Sequence, residues 1–89
     1  MKIKNGFVAQ KIGEKTIVVS TGVLCKEFHG MIELNATAAD IWNWVEQGLD
    51  EEVIVEKYAK EYEIDEEKAR LDVNKIIGRM ESAGVFEGR

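Results

Sequence analysis

Apolar residues recur along the chain with two periods, and the change between them falls near Asn35. Before it, Phe7 to Ile12 and the β-branched run Lys15 to Val19 have the character of strands. Gly13-Glu14 between them fits a two-residue hairpin with glycine in the first central position, the type II′ pattern. Thr21 to Gly30 is a connector whose Val23, Leu24 and Phe28 suggest a loop laid over the core. Met31-Ile32-Glu33-Leu34 is a short third strand, with Ile32 and Leu34 two apart and so on one face.

After Asn35 the period becomes helical. Ala38, Ile41, Trp42, Val45 and Leu49 share a stripe, which predicts a first helix from Thr37 to Gln47. Thr37 is its expected cap, with Asp40 at capping-box spacing, and Gly48 suits the position just past its end. Asp50 opens a second helix with Ile54, Val55, Tyr58, Ala59 and Tyr62 inward. Asp65 opens a third, where Glu66 and Glu67 in the first turn favour the helix dipole. Its stripe is Ala69, Val73, Ile76, Ile77, Met80 and Ala83; Gly84 ends it, and Val85-Phe86 then fold back or pair locally. The order β-β-β-α-α-α predicts an α+β fold, a three-stranded antiparallel sheet followed by three helices in a winged helix-turn-helix-like arrangement. Such a sheet has two edges, and a bare edge is a liability unless it is protected or used. A helix following the third strand with almost no loop holds that strand firmly, which suits an edge for docking.

With 89 residues, the chain is expected to be one domain over 1–89 with one modest core. Its 45% apolar and 33% charged content is that of an ordinary globular protein, and no apolar run is long enough to span a membrane. The N-terminal Met-Lys-Ile-Lys-Asn-Gly-Phe has no signal-peptide core, and the lone Cys25 has no internal partner for a disulfide. A cytoplasmic location is expected. The net charge of −5 is unevenly spread: residues 1–30 hold five lysines against two glutamates, while residues 31–89 hold seven basic and fifteen acidic side chains. An acidic helical half repels phosphate, so nucleic acid is disfavoured as a partner.

Catalytic chemistry has little to stand on. His29 and Cys25 are the only histidine and thiol, four apart in the connector, and a nucleophilic pair needs an orienting group and an oxyanion site as well. One Cys and one His lack the repeated spacing of zinc sites. Glu51/Glu52, Glu61/Glu63 and Asp65/Glu66/Glu67 sit at helix starts or on polar faces, where capping and solvation explain them. No enzyme activity and no bound cofactor are expected. Trp42 lies on the first helix's apolar stripe; Trp44, offset from it, either packs partly against the strands or forms a contact surface. Leu71 opposes the third helix's stripe and is a lone exposed leucine, a residue packed on the loop, or a self-association patch.

Leu34-Asn35-x-Thr37-(small)-(small)-x-Ile41-Trp42, preceded by Gly30-Met31-Ile32, resembles the PqqD family, named for its pyrroloquinoline-quinone biosynthesis member. The likeness continues in Tyr62-Glu63-Ile64-Asp65, in Ala69-Arg70-Leu71-Asp72-Val73 and in Ala83-Gly84-Val85-Phe86, and so runs from about Gly6 to Phe86. It implies a non-catalytic recognition element that binds the leader of a ribosomally made precursor peptide as an added strand and presents it to a modifying enzyme. That enzyme is often a radical-SAM protein, whose iron–sulfur clusters belong to the partner. Carried onto this chain, the peptide-binding strand is Met31, Ile32, Glu33 and Leu34, and the helix face is Arg70, Val73, Asn74, Ile77 and Glu81. A monomer or weak homodimer is expected. Two other readings stand beside it: a winged-helix DNA-binding regulator, marked by steeply salt-dependent duplex binding, and a scaffold subunit that regulates an enzyme without binding any leader.

Overall fold

The computed structural model describes residues 2–3, 6–20 and 31–87. The connector with Cys25 and His29 lies outside them. Three antiparallel strands, β1 (Phe7–Ile12), β2 (Lys15–Ser20) and β3 (Met31–Leu34), precede three helices, α1 (Ala36–Glu46), α2 (Glu51–Glu61) and α3 (Glu66–Ser82). The α+β order read from the pattern is therefore the order found. β2 is central: Val8 faces Val19, Ile12 faces Lys15, Thr16 faces Leu34 and Val18 faces Ile32. Gly13 at φ +64° turns the hairpin between β1 and β2, a conformation glycine adopts without a side-chain clash.

Alternation sends Phe7, Ala9, Thr16, Val18, Ile32 and Leu34 toward the helices. Val18 and Leu34 are buried and meet Ala38, Ile41, Trp42 and Val45 of α1, Ile54, Val55 and Tyr58 of α2, and Ala69, Val73, Ile77 and Met80 of α3. The Phe7 ring stands edge-on to Trp42 with centroids 6.2 Å apart. Trp44 is half-buried against the same core. Val85 and Phe86 are also buried, and Phe86 bridges to Ile3, far away in sequence, instead of pairing locally. The Glu87 N–H donates to the Lys2 carbonyl at 2.7 Å, which ties the two ends of the described chain together.

The cap of α1 lies two residues before the expected Thr37. Asn35 takes that place, its side-chain oxygen accepting from the Ala38 N–H at 2.9 Å, while the Thr37 hydroxyl donates to the same oxygen at 3.0 Å. Asp40 closes no capping box; its carboxylate accepts from the Tyr62 hydroxyl at the end of α2. Burial, with that carboxylate alongside, pushes the Tyr62 hydroxyl above its ordinary range. Tyr58 donates to Asp72 of α3 at 3.2 Å, so the two adjacent tyrosines, their rings tilted 45° to each other, link α2 to both neighbours. Asp65 caps α3 as expected, accepting from the Lys68 N–H at 2.8 Å, whereas Asp50 stands at the start of α2 without a side-chain bond. On the surface, Arg70 of α3 makes a two-pronged pair with Glu52 of α2, at 2.5 and 2.9 Å.

Two expectations follow. Glu63, at φ +52°, is the one described non-glycine residue in the left-handed region, just past α2, where Ile64 N–H closes back on the Ala59 carbonyl at 3.1 Å. Glu63→Gly keeps that closure and removes the β-carbon strain, so it should stabilise the protein by about 1 kcal/mol in a urea titration. The Arg70 hydrogen bond, and behind it the Arg70 charge, hold the Glu52 carboxyl below its usual range. A depressed carboxylate contributes stability above its unfolded-state pKa and loses it as pH falls through the folded one. Glu52→Gln should therefore lower the melting temperature slightly at neutral pH, and the gap from wild type should close in acid below the ordinary glutamate range.

Candidate functional site at the edge of the third strand

β3 pairs on one side only, with β2; among the described residues nothing pairs with its other side. Its N–H and C=O groups along that side are a ready template for one more strand. The strand is held from both ends of its burial pattern: Leu34 is inserted in the core, and Asn35 leaves the strand and caps α1 in a single step. Glu33 points to the opposite face of the sheet, where its carboxylate meets Lys15 at 2.8 Å. That pair keeps a charged side chain away from the helical side.

Next to the free edge runs α3, and the two do not touch along their backbones: no described Cα of β3 comes within 8 Å of one in α3. The gap holds a pocket of about 150 Å³ lined by Ile32 and Leu34 from the strand and Ile76, Arg79, Met80 and Ala83 from the helix. Ile76 and Ala83 are half-buried, so part of their apolar surface is open to whatever enters. Two larger hollows lie elsewhere. One, of about 750 Å³ between the hairpin and α1, is lined in part by Lys11, Glu14, Lys15 and Asp40; the other, of about 600 Å³ at α2, by Glu56, Lys57, Lys60 and Glu66. Neither takes a lining residue from β3, and their charged walls suit water better than an apolar ligand.

Of the residues named from the sequence, Ile32 and Leu34 line this pocket, and Met31 and Glu33 share the strand backbone. The helix residues stand on another flank. Val73 is fully buried and Ile77 only 6% exposed, both in the core; Arg70 faces α2 through Glu52; Asn74 and Glu81 are exposed. At 3.6 residues per turn, the Arg70–Asn74–Ile77–Glu81 side lies nearly half a turn from the Ile76–Arg79–Ala83 side. Ile76, Met80 and Ala83 were visible in the apolar stripe, but as core. Arg79 carried no signal of its own. The clue available was that Glu52 and Arg70 are well placed to pair only if the Arg70 side of α3 turns toward α2.

Among the described residues no three His, Cys, Asp or Glu side chains gather where a metal ion could be held. No helix is long and apolar enough to cross a membrane. What the geometry offers is backbone pairing along an edge with an apolar recess beside it.

Comparison with known proteins agrees with this shape. A solved structure described as "TbiB1 in Complex with the TbiA(beta) Leader Peptide" superposes with a TM-score of 0.81 at 22% identity, over 100% of this chain and 98% of that one. At that identity the likeness speaks for the fold. No curated protein sequence matches. Residues 16–85, which include all of β3 and the three helices, match the family model described as "Coenzyme PQQ synthesis protein D (PqqD)". The chain belongs to the PqqD family.

Proposed function

We propose that the protein is a non-catalytic recognition module that binds the leader segment of a ribosomally made precursor peptide and presents it to a modifying enzyme. The observation that carries this reading is the edge of β3 that no described residue pairs, with a small apolar pocket between it and α3. An extended peptide added to that edge satisfies its backbone groups in a ladder. Every second side chain then faces α3, where one apolar residue fills the recess. The fold neighbour, TbiB1, was solved with a leader peptide bound, and the family of this chain is that of PqqD. The peptide contacts assigned here are the backbone of Met31–Leu34 and the side chains of Ile32, Leu34, Ile76, Arg79, Met80 and Ala83.

Holding the leader does not change bonds in the precursor. It raises the local concentration of the attached core segment at the enzyme, by an amount set by the linking chain. Selectivity then resides in the leader, while the enzyme's own site is left free to accept varied core sequences. A radical-SAM enzyme is the class of partner the family resemblance suggests, and its clusters would supply the chemistry. A cytoplasmic location suits such a partnership.

The test is a titration of ¹⁵N-labelled protein with the leader encoded beside its gene, in the absence of any enzyme. Amide shifts should concentrate at Met31–Leu34 and Ile76–Ala83, with new hydrogen-exchange protection in the strand. Ile76→Asp places a charge in the pocket and should weaken leader binding at least about tenfold while the fold persists, because Ile76 is only half-buried. Ile12→Asp, on the other face of the sheet and 59% exposed, should leave affinity unchanged. A leader that binds only when the enzyme is present would replace this reading with that of an enzyme-bound scaffold.

A further inference from the structure

The pocket's lining is apolar except at one place. Of its six described residues, five are Ile32, Leu34, Ile76, Met80 and Ala83, and the sixth is Arg79. Arg79 is exposed, and among the described residues no carboxylate pairs with it. The other described arginine, Arg70, is already engaged by Glu52, with Glu66 at 3.9 Å. The strand carboxylate closest in sequence to the pocket, Glu33, is turned to the far face and joined to Lys15. The rim of the recess therefore carries a guanidinium with no competing acid among the described residues, in a helical half that is otherwise strongly acidic.

We propose that Arg79 is a specificity-determining residue that selects a carboxylate in the bound peptide, two positions from the apolar residue that fills the pocket. This rests on the reading of the chain as a leader-binding module.

The offset follows from strand geometry. Side chains of an added strand that face α3 recur every second residue, about 7 Å apart. Along the helix, Ile76 to Ala83 spans about 10 Å, so the recess runs beside two successive groove-facing side chains. Met80 lies toward the core side of this strip and Ile76 and Ala83 along its middle; Arg79, one residue before Met80, lies on its outer flank. An apolar anchor entering between Ile76, Met80 and Ala83 sits about level with the Arg79 backbone, and the long Arg79 stem, leaning toward the start of the helix, carries the guanidinium to the anchor's neighbour on the same face. Arg79 offers a planar fork suited to a carboxylate, and its long stem can lie over the rim. Excess acid elsewhere in the helical half gives an unselective acidic peptide no general advantage. The attraction is confined to one position, which makes it a filter.

The experiment measures affinity of the full chain for the neighbouring gene's leader by fluorescence anisotropy, at low and high salt. The protein is wild type, Arg79→Gln or Arg79→Glu, and each acidic residue of the leader is replaced singly by its amide or by lysine. One acidic position, two from an apolar residue, should lose about fivefold on amide replacement with wild-type protein and nothing further with Arg79→Gln. At that position lysine should restore binding to Arg79→Glu. The wild-type advantage should shrink at high salt. Equal affinity of wild type and Arg79→Gln for the native leader overturns the assignment, as does an equal loss with every leader variant. In those cases intact binding leaves the proposed function standing. No binding of the leader by wild-type protein overturns both.

Discussion

A single residue, Asn35, separates the edge strand from the first helix, and the geometry of the groove depends on that junction. Leu34 fixes the last strand position by burial in the core, while the Asn35 side chain begins the helix by satisfying an otherwise orphaned amide. Between them they leave β3 little room to slide or tilt. A one-residue slip would turn Leu34 out to solvent and bring Glu33 to the helical face, so burial also fixes the register. The free backbone groups of β3 are thereby presented at a set distance from α3. A looser connection would let the strand drift toward the helix and close the recess.

The helix side of the groove is set from further away. α3 is oriented by contacts with α2, where Tyr58 meets Asp72 and Arg70 meets Glu52. These fix the rotation of the helix about its own axis and hence which residues look toward β3. The buried face of α3 comprises Ala69, Val73, Ile77 and Met80; Ile76 and Ala83, half-buried on its flank, are left for the pocket. The same apolar stripe thus serves two ends, core on one side and recess on the other. The tyrosine pair extends the frame to α1 through Asp40, so all three helices share one polar seam at the margin of the core.

Much of this was legible in the residues, for reasons that differ by element. The change of period at Asn35 is strong because Ile32 and Leu34 alternate and Ala38, Ile41, Trp42 and Val45 do not, and no loop residues blur the boundary. The cap was less so: Asn35 and Thr37 are both good capping types, and only the backbone turn decides between them. The flank of α3 that faces the strand could not be read from periodicity. A wide stripe containing Ala69, Val73, Ile76, Ile77, Met80 and Ala83 gives the buried direction, but its two margins look alike until the packing of α2 is known. Val85 and Phe86 were visible as apolar, yet the bridge from Phe86 to Ile3 joins residues so far apart in sequence that no local pattern encodes it.

An apolar pocket of this size holds about one aliphatic side chain, and such a contact discriminates weakly, since one methylene more or less changes affinity only modestly. Backbone pairing along β3 discriminates still less, because every extended peptide presents the same groups. A module built only from those two would bind many peptides. Selectivity has to come from a feature that rejects as well as attracts, and a cation at the mouth of an apolar recess does both. A basic residue placed there meets like charge; a neutral one displaces water from the guanidinium with no ionic compensation. In the proposed complex the edge strand and the recess hold a peptide in extended form, and Arg79 is the described lining residue with the chemistry to distinguish one such peptide from another.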